Sequence, residues 1–276
     1  MIRSIGTLAG LTVREALRRR IYIGAFCIAL LFLGLLFLPG FASHRGRSGI
    51  ELDPPIQASL LAMTGLAMIK FFSAVLGITL ASGAIAAELE RGTLYVILSK
   101  PLTRTHILLG KWLGLVILTA VNVGVWAALL WLAVYVRMPG PHWPLLEAVG
   151  LAFRYPLIFV TLTLCFSTFA SNVLATALAL VSVGIGWQEG IMRQMGRIFD
   201  IRLLREFGIF AGYLVPIGRL HRWMIHVADL TLPLGMGANP MQLQEGPPAP
   251  ADLIYVAAYI LGALLVALVI FQRRDV

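Results

Sequence analysis

Apolar residues in this chain fall in long blocks separated by short polar interruptions, and their spacing predicts helices throughout. Residues 4–19 differ from the rest. Ile5, Leu8, Ala9, Thr12, Val13, Ala16 and Leu17 recur at three- and four-residue steps, while Arg14, Glu15, Arg18 and Arg19 lie off that stripe. That pattern predicts an amphipathic helix lying in a membrane interface, its basic side chains toward lipid phosphate. Six apolar segments follow, at about 21–38, 60–87, 107–136, 150–170, 173–187 and 253–271. At 1.5 Å per residue the longer of these runs cross about 30 Å of hydrocarbon, and the fourth does so only if it begins before Arg154.

The expected fold is therefore all-α: one polytopic transmembrane domain over 1–276 with six spans and an amino-terminal interfacial helix. Arg18, Arg19 and Arg20 before the first span, and Arg273 and Arg274 after the last, hold both termini in the cytoplasm by the positive-inside bias. Six spans then place 188–250 outside. The six arginines there oppose that placement, although long segments obey the charge rule weakly. Within it, Met192, Met195, Phe199, Leu203 and Phe207 form one helical stripe, which predicts a surface helix with Asp200 outside. Phe207 to Ile217 is apolar but too short to span and reads as re-entrant or surface-lying.

Composition agrees with a membrane class: 59% of residues are apolar and 13% charged, and the mean hydropathy is +0.88. The net charge of +9 would suggest nucleic acid in a soluble protein, but here the basic residues sit at the ends of apolar runs, where they meet anionic lipid. No nucleic-acid partner is expected. Cys27 and Cys165 each lie inside an apolar run and read as small packing residues. No cleavable signal peptide is expected, because no small-residue cleavage site precedes Pro39.

The sustained polar interruption of the first half is Glu88-Leu89-Glu90-Arg91-Gly92-Thr93-Leu94, continuing through Ser99-Lys100-Pro101 to Arg104 and Gly110-Lys111. Gly92 breaks the helix arriving from the second span, Thr93 is a good N-cap, and Pro101 ends the short helix between them. Leu94, Ile97 and Leu98 share one face of it. A solvated connector would leave that apolar face without a partner. Thr103 or Thr105 can cap the third span.

Glu-x-Glu-x-Gly-Thr-Leu from Glu88, then a short apolar helix, then Ser-x-Pro-x-x-Arg from Ser99 and Gly110-Lys111 resembles the permease subunits of ABC-2 type transporters, in particular the NosY-like group. The resemblance is specific over Glu88 to Lys111 and rests on hydropathy alone beyond about residue 150. It implies that the loop is a cytoplasmic coupling helix docked on a nucleotide-binding subunit. By that resemblance Glu88, Glu90, Arg91, Gly92, Thr93, Leu94, Pro101 and Arg104 couple to the ATPase, and the apolar face adds Ile97 and Leu98. It further implies two permease copies, a homodimer in the simplest case, over two ATPases in a bacterial cytoplasmic membrane. ATP and magnesium would sit in the partner, and an extracytoplasmic accessory protein is an admissible further partner. The function so implied is ATP-driven transport, with export favoured. A membrane sensor or assembly protein that transmits conformational change without moving a substrate is the alternative.

Other constellations carry less. No Gly-x-x-x-x-Gly-Lys-Ser/Thr phosphate loop occurs, so no ATP site and no enzymatic activity are expected in this chain. His221, His226 and the methionines of 188–250 are suitable copper ligands but share no compact spacing, so no metal site is expected. Thr161, Thr163, Ser167, Ser171, Thr176 and Ser182 suit close packing or a polar path. Gly110/Gly114, Gly186/Gly190 and Gly208/Gly212 permit close helix approach, a weak signal in apolar sequence. Lys70 interrupts the second span. Phe71 to Ala87 nearly crosses by itself, which places Lys70 near the outer interface, where snorkelling outweighs a cargo contact. Nothing in the spans identifies a cargo.

Overall fold

The computed structural model describes residues 2–18, 20–37, 54–90, 92, 103–140, 142–227 and 248–274. In chain order the helices are α1 (Ile2–Leu17), α2 (Arg20–Leu35), α3 (Pro54–Ser82), α4 (Ala86–Glu90), α5 (Arg104–Arg137), α6 (Trp143–Ala152), α7 (Arg154–Phe169), α8 (Asn172–Ile198), α9 (Arg202–Leu214), α10 (Ile217–Val227) and α11 (Pro250–Arg273). Among the described residues there is no strand.

Five stretches are long and apolar enough to cross a membrane: Gln57–Glu90, Arg104–Arg137, Trp143–Phe169, Asn172–Ile198 and Pro250–Arg273. The expected first span is different. α2 holds 16 residues, about 24 Å at 1.5 Å each, which falls short of the hydrocarbon core. The described residues therefore give five membrane-length spans rather than six, and the expected end at Leu38 lies outside them.

Two other boundaries moved for identifiable reasons. The fourth span begins earlier than about residue 150, because α6 runs into α7 through Phe153 in helical conformation (φ −59°, ψ −24°). Pro156 removes a ladder bond near the start of α7, where a proline is tolerated, so the chain bends without leaving the helix. The stripe from Met192 to Phe207 is not one helix either. α8 ends at Ile198, Asp200 takes φ 51°, and α9 folds back along α8. Asp is among the few non-glycine residues that adopt this left-handed conformation at modest cost.

α3, α5 and α7 form the centre, with Trp126, Tyr155 and Phe159 fully buried. Rings continue from Tyr22 and Phe26 of α2 through Trp126 of α5 and Phe72 and Phe71 of α3 to Trp187 of α8, neighbours 5.3–6.5 Å apart. Small residues set the closest helix contacts. A Cβ at Gly114 would stand 2.7 Å from the Ala9 carbonyl oxygen, so α1 lies directly on the inner part of α5. The stripe of α1 accordingly faces protein through Ala9 and Ala16, and Arg14, Glu15 and Arg18 are exposed. Leu17 departs from the pattern and is exposed.

The α8–α9 hairpin closes the same way. A Cβ at Gly196 would come 2.5 Å from the Arg205 amide nitrogen, and one at Gly208 would come 2.8 Å from that of Arg193. Glu189 is 1% exposed and fills the space beside Gly212 and Gly218. Its carboxylate meets Arg193 at 2.6 Å and accepts the Gly218 N–H at 3.2 Å. Arg219 then ties α10 to α11: it pairs with Asp252 at 2.9 Å and lies between the rings of Tyr213 and Tyr255, 4.8 and 4.5 Å from their centroids.

Candidate functional site

The polar loop between the second and third spans leaves one helix and enters another, and both ends are held by bonds to distant segments. α3 stops at Ser82, and residues 83–85 form a turn before α4. In that turn the Glu88 N–H bonds to the Ile85 carbonyl, 3.1 Å away. A continuous helix would instead bond Glu88 N–H to Ala84, so the turn releases the Ala84 carbonyl. Lys111, seven residues into α5 and 6% exposed, donates to that carbonyl at 2.5 Å. The same ammonium meets the Glu88 carboxylate at 2.5 Å. One buried cation thus satisfies a broken helix and a carboxylate together, as a buried charge requires.

Glu90 reaches a different span. Its Oε1 accepts the Asn172 N–H at 3.0 Å, at the start of α8. Helix N-termini present amides without intrahelical partners and favour a negative charge. The Ser171 side chain caps the same terminus by accepting the Leu174 N–H. Gly92 then takes φ 71° and donates to the Leu89 carbonyl at 3.1 Å, which ends α4 in a conformation suited to glycine.

On the returning side Thr103 caps α5 by accepting the His106 N–H. The Arg104 guanidinium donates to the carbonyls of Phe271 and Gln272, each at 3.2 Å, and to that of Arg274. Those are carbonyls at the C-terminus of α11, where the helix dipole is negative. Gln272 donates to the Thr105 hydroxyl at 3.0 Å, and Arg274 donates to the Thr168 carbonyl near the end of α7.

Of the residues the sequence singled out, Glu88, Glu90, Gly92 and Arg104 are thus placed, each at one end of the loop. Arg91, Thr93, Leu94, Ile97, Leu98 and Pro101, with the expected short helix, lie outside the described residues. The sequence reading named Lys111 in the motif and Arg274 at the last span without giving either a partner, and it missed Asn172 and Gln272. Lys111 left a usable signal. A lysine seven residues inside an apolar helix needs a carboxylate, and Glu88 is the acidic residue at the matching end of the preceding span.

A loop anchored in this manner between two spans agrees with the family resemblance, and the comparison with family sequences decides it. The model of the family described as "ABC-2 family transporter protein" matches residues 7–199. The chain belongs to the ABC-2 family. The match begins inside α1 and ends one residue beyond α8, so it includes the whole loop and its anchors on α5 and α8. Relatives extend the likeness to the rest. A protein of Pseudomonas aeruginosa named "Probable ABC transporter permease protein NosY" is 27% identical over 99% of both chains. Its namesake from Stutzerimonas stutzeri is 28% identical over the same shares. As an ABC-2 protein with five membrane-length helices among its described residues, this chain is a multi-pass membrane protein, and its family implies an ATPase on another subunit.

Proposed function

We propose that this chain is the membrane permease of an ATP-binding-cassette exporter, working as two copies over two cytoplasmic ATPase subunits. The observation that carries the reading is the division of the loop's anchors. Glu88 bonds to α5 through Lys111, Glu90 to α8 through Asn172, and Arg104 to the end of α11. A displacement of the loop by an ATPase is therefore passed to three membrane-length helices at once. Nucleotide state would bias the helices between two packings, as a switch of this kind requires. The role of such a device is mechanical: this chain contributes no catalytic residue, and ATP and magnesium belong to the partner.

In this reading the topology has six crossings, the first being the apolar segment of about 21–38, of which α2 is the described part, with both termini and the loop in the cytoplasm of a bacterial inner membrane. α9 and α10 lie on the outer side of the membrane domain, α9 against α8 and α10 against α6. A cysteine at Arg202, in a background lacking Cys27 and Cys165, tests this; Arg202 is exposed and avoids the left-handed backbone of Asp200. It should react with an impermeant thiol reagent added outside intact cells. Labelling only after the inner face is opened would exclude the arrangement.

The transport claim is tested in inverted membrane vesicles containing the chain and its ATPase. ATP should drive accumulation in the lumen of at least one native solute, seen by mass spectrometry of the vesicle contents. An intact complex that hydrolyses ATP and moves nothing would overturn the permease reading.

A further inference from the structure

Lys70 lies in the middle of α3, in a span otherwise without charge until Glu88. Lys70 stands twelve residues, about 18 Å of helix, before the end of α3 at Ser82, and the turn at 83–85 and α4 carry the chain on to Glu88, which puts Lys70 toward the outer side of the hydrocarbon when Glu88 marks the inner one. Its side chain is half-buried and directed at other helices. The ammonium is 3.4 Å from Nδ1 of His221 on α10 and 5.7 Å from the centroid of the Tyr155 ring on α7. Among the described residues it has no carboxylate. The two acidic groups of this layer already have cations: Glu189 meets Arg193, and Asp252 meets Arg219 at 2.9 Å and Arg222 at 3.9 Å.

His221 extends the positive surface as a donor. Burial, with the Lys70 and Arg222 cations, lowers its pKa to about 3, so the ring is neutral. An ammonium has only hydrogens to offer, so Nδ1 accepts from Lys70 and the ring proton resides on Nε2. Nε2 makes no hydrogen bond among the described residues. The ammonium likewise retains donors beyond the one given to His221. The next residue along α3, Phe71, is 44% exposed and lies tilted against Trp187 of α8 with ring centroids 5.5 Å apart, an apolar surface near the pair.

We infer that Lys70 and His221 together form a binding site for a phosphate-type oxyanion at head-group depth in the outer half of the membrane. The oxyanion receives hydrogen bonds from the Lys70 ammonium and from His221 Nε2–H. It supplies the negative charge that a partly desolvated lysine needs, and charge-assisted bonds of this kind are the strong ones. Two sources share this chemistry. An anionic phospholipid would place its phosphate on Lys70 and an acyl chain along Phe71 and Trp187. A free oxyanion would occupy the polar part alone. The site does not depend on ATPase coupling, so its failure and that of the proposed function are separable.

The full-length chain in nanodiscs tests both sources. In discs of mixed phosphatidylglycerol and phosphatidylcholine, native mass spectrometry should find phosphatidylglycerol retained. Lys70→Met should lower that retention about tenfold or more, the loss expected for a bond to a charged group. Lys70→Arg should preserve most of it, and His221→Phe should give an intermediate loss. In phosphatidylcholine discs, inorganic phosphate should raise the melting temperature of the wild type and not of Lys70→Met if the site takes a free oxyanion. Phosphatidylglycerol retention without that shift assigns the lipid head group. Equal retention by wild type, Lys70→Met and His221→Phe, with no phosphate-dependent shift, overturns the site. Should Lys70→Met fail to insert, His221→Phe decides alone, because it alters none of the five membrane-length helices.

Discussion

Lys111→Met is expected to destabilise the protein by roughly 3 kcal/mol, near the lower end of what breaking a buried ion pair costs. The substitution fits the volume and suits the helix, so the loss is electrostatic. It takes the ammonium away from the Glu88 carboxylate, whose side chain is 17% exposed, and from the Ala84 carbonyl released by the turn at 83–85. Glu88→Gln on top of Lys111→Met should recover part of the loss, because a neutral amide costs less to bury than a carboxylate deprived of the Lys111 ammonium. Thermal unfolding of the four proteins in one detergent measures the coupling as a double-mutant cycle. If the pair contributes nothing, the single and double variants will melt alike. Function should respond separately: the double variant, folded but without the link from the loop to α5, should hydrolyse ATP with transport reduced.

That pair also shows where sequence reading reaches its limit. Period and hydropathy placed the long apolar helices, because a membrane requires unbroken apolar runs and little else produces them. Gly92 was legible as a helix end because only a local backbone property is needed, and it takes φ 71°. Glu88, Glu90 and Arg104 were legible as members of the loop motif, but the partners that hold them were not. Asn172 is 82 residues from Glu90, and Phe271 is 167 from Arg104. Nothing local in the chain encodes those distances. The reversal at Asp200 was hidden for the opposite reason. The apolar period continues across the turn, since α8 and α9 each need a stripe, and period cannot report a change of direction. The Gly208/Gly212 spacing held the clue: it is the face on which α9 lies against Arg193 and Glu189. Such spacings are common in apolar helices, so the signal has meaning only once a partner is known.

Leu94→Asp is expected to release the ATPase while leaving the membrane domain folded. By their spacing in the sequence, Leu94, Ile97 and Leu98 would share one face of the short helix expected between Gly92 and Pro101, in a loop whose ends are tied to α5, α8 and α11. If that face docks in a cleft of the ATPase, each side chain contributes roughly 1.5–3 kcal/mol when fully buried. An aspartate there loses this packing and brings an unpaired charge into the contact, which costs more than the packing alone. Most of the affinity should go, so affinity purification of the variant should recover the chain in normal amount and little ATPase. Glu90→Ala should behave differently, because Glu90 faces Asn172 rather than the partner. It should keep the ATPase bound and hydrolysis running, with solute accumulation falling out of step. Lys100→Ala, beyond the apolar face of the expected helix, should change neither. Normal ATPase recovery with Leu94→Asp would mean that the loop is a connector, and that force enters the membrane domain elsewhere. The other surface available on the same side is α1, laid on α5 through Gly110 and Gly114 with Arg14, Glu15 and Arg18 exposed. Parallel charge reversal at Arg14 and Arg18 therefore completes the experiment. Loss of the ATPase there, with Leu94→Asp unaffected, would transfer the docking role to α1.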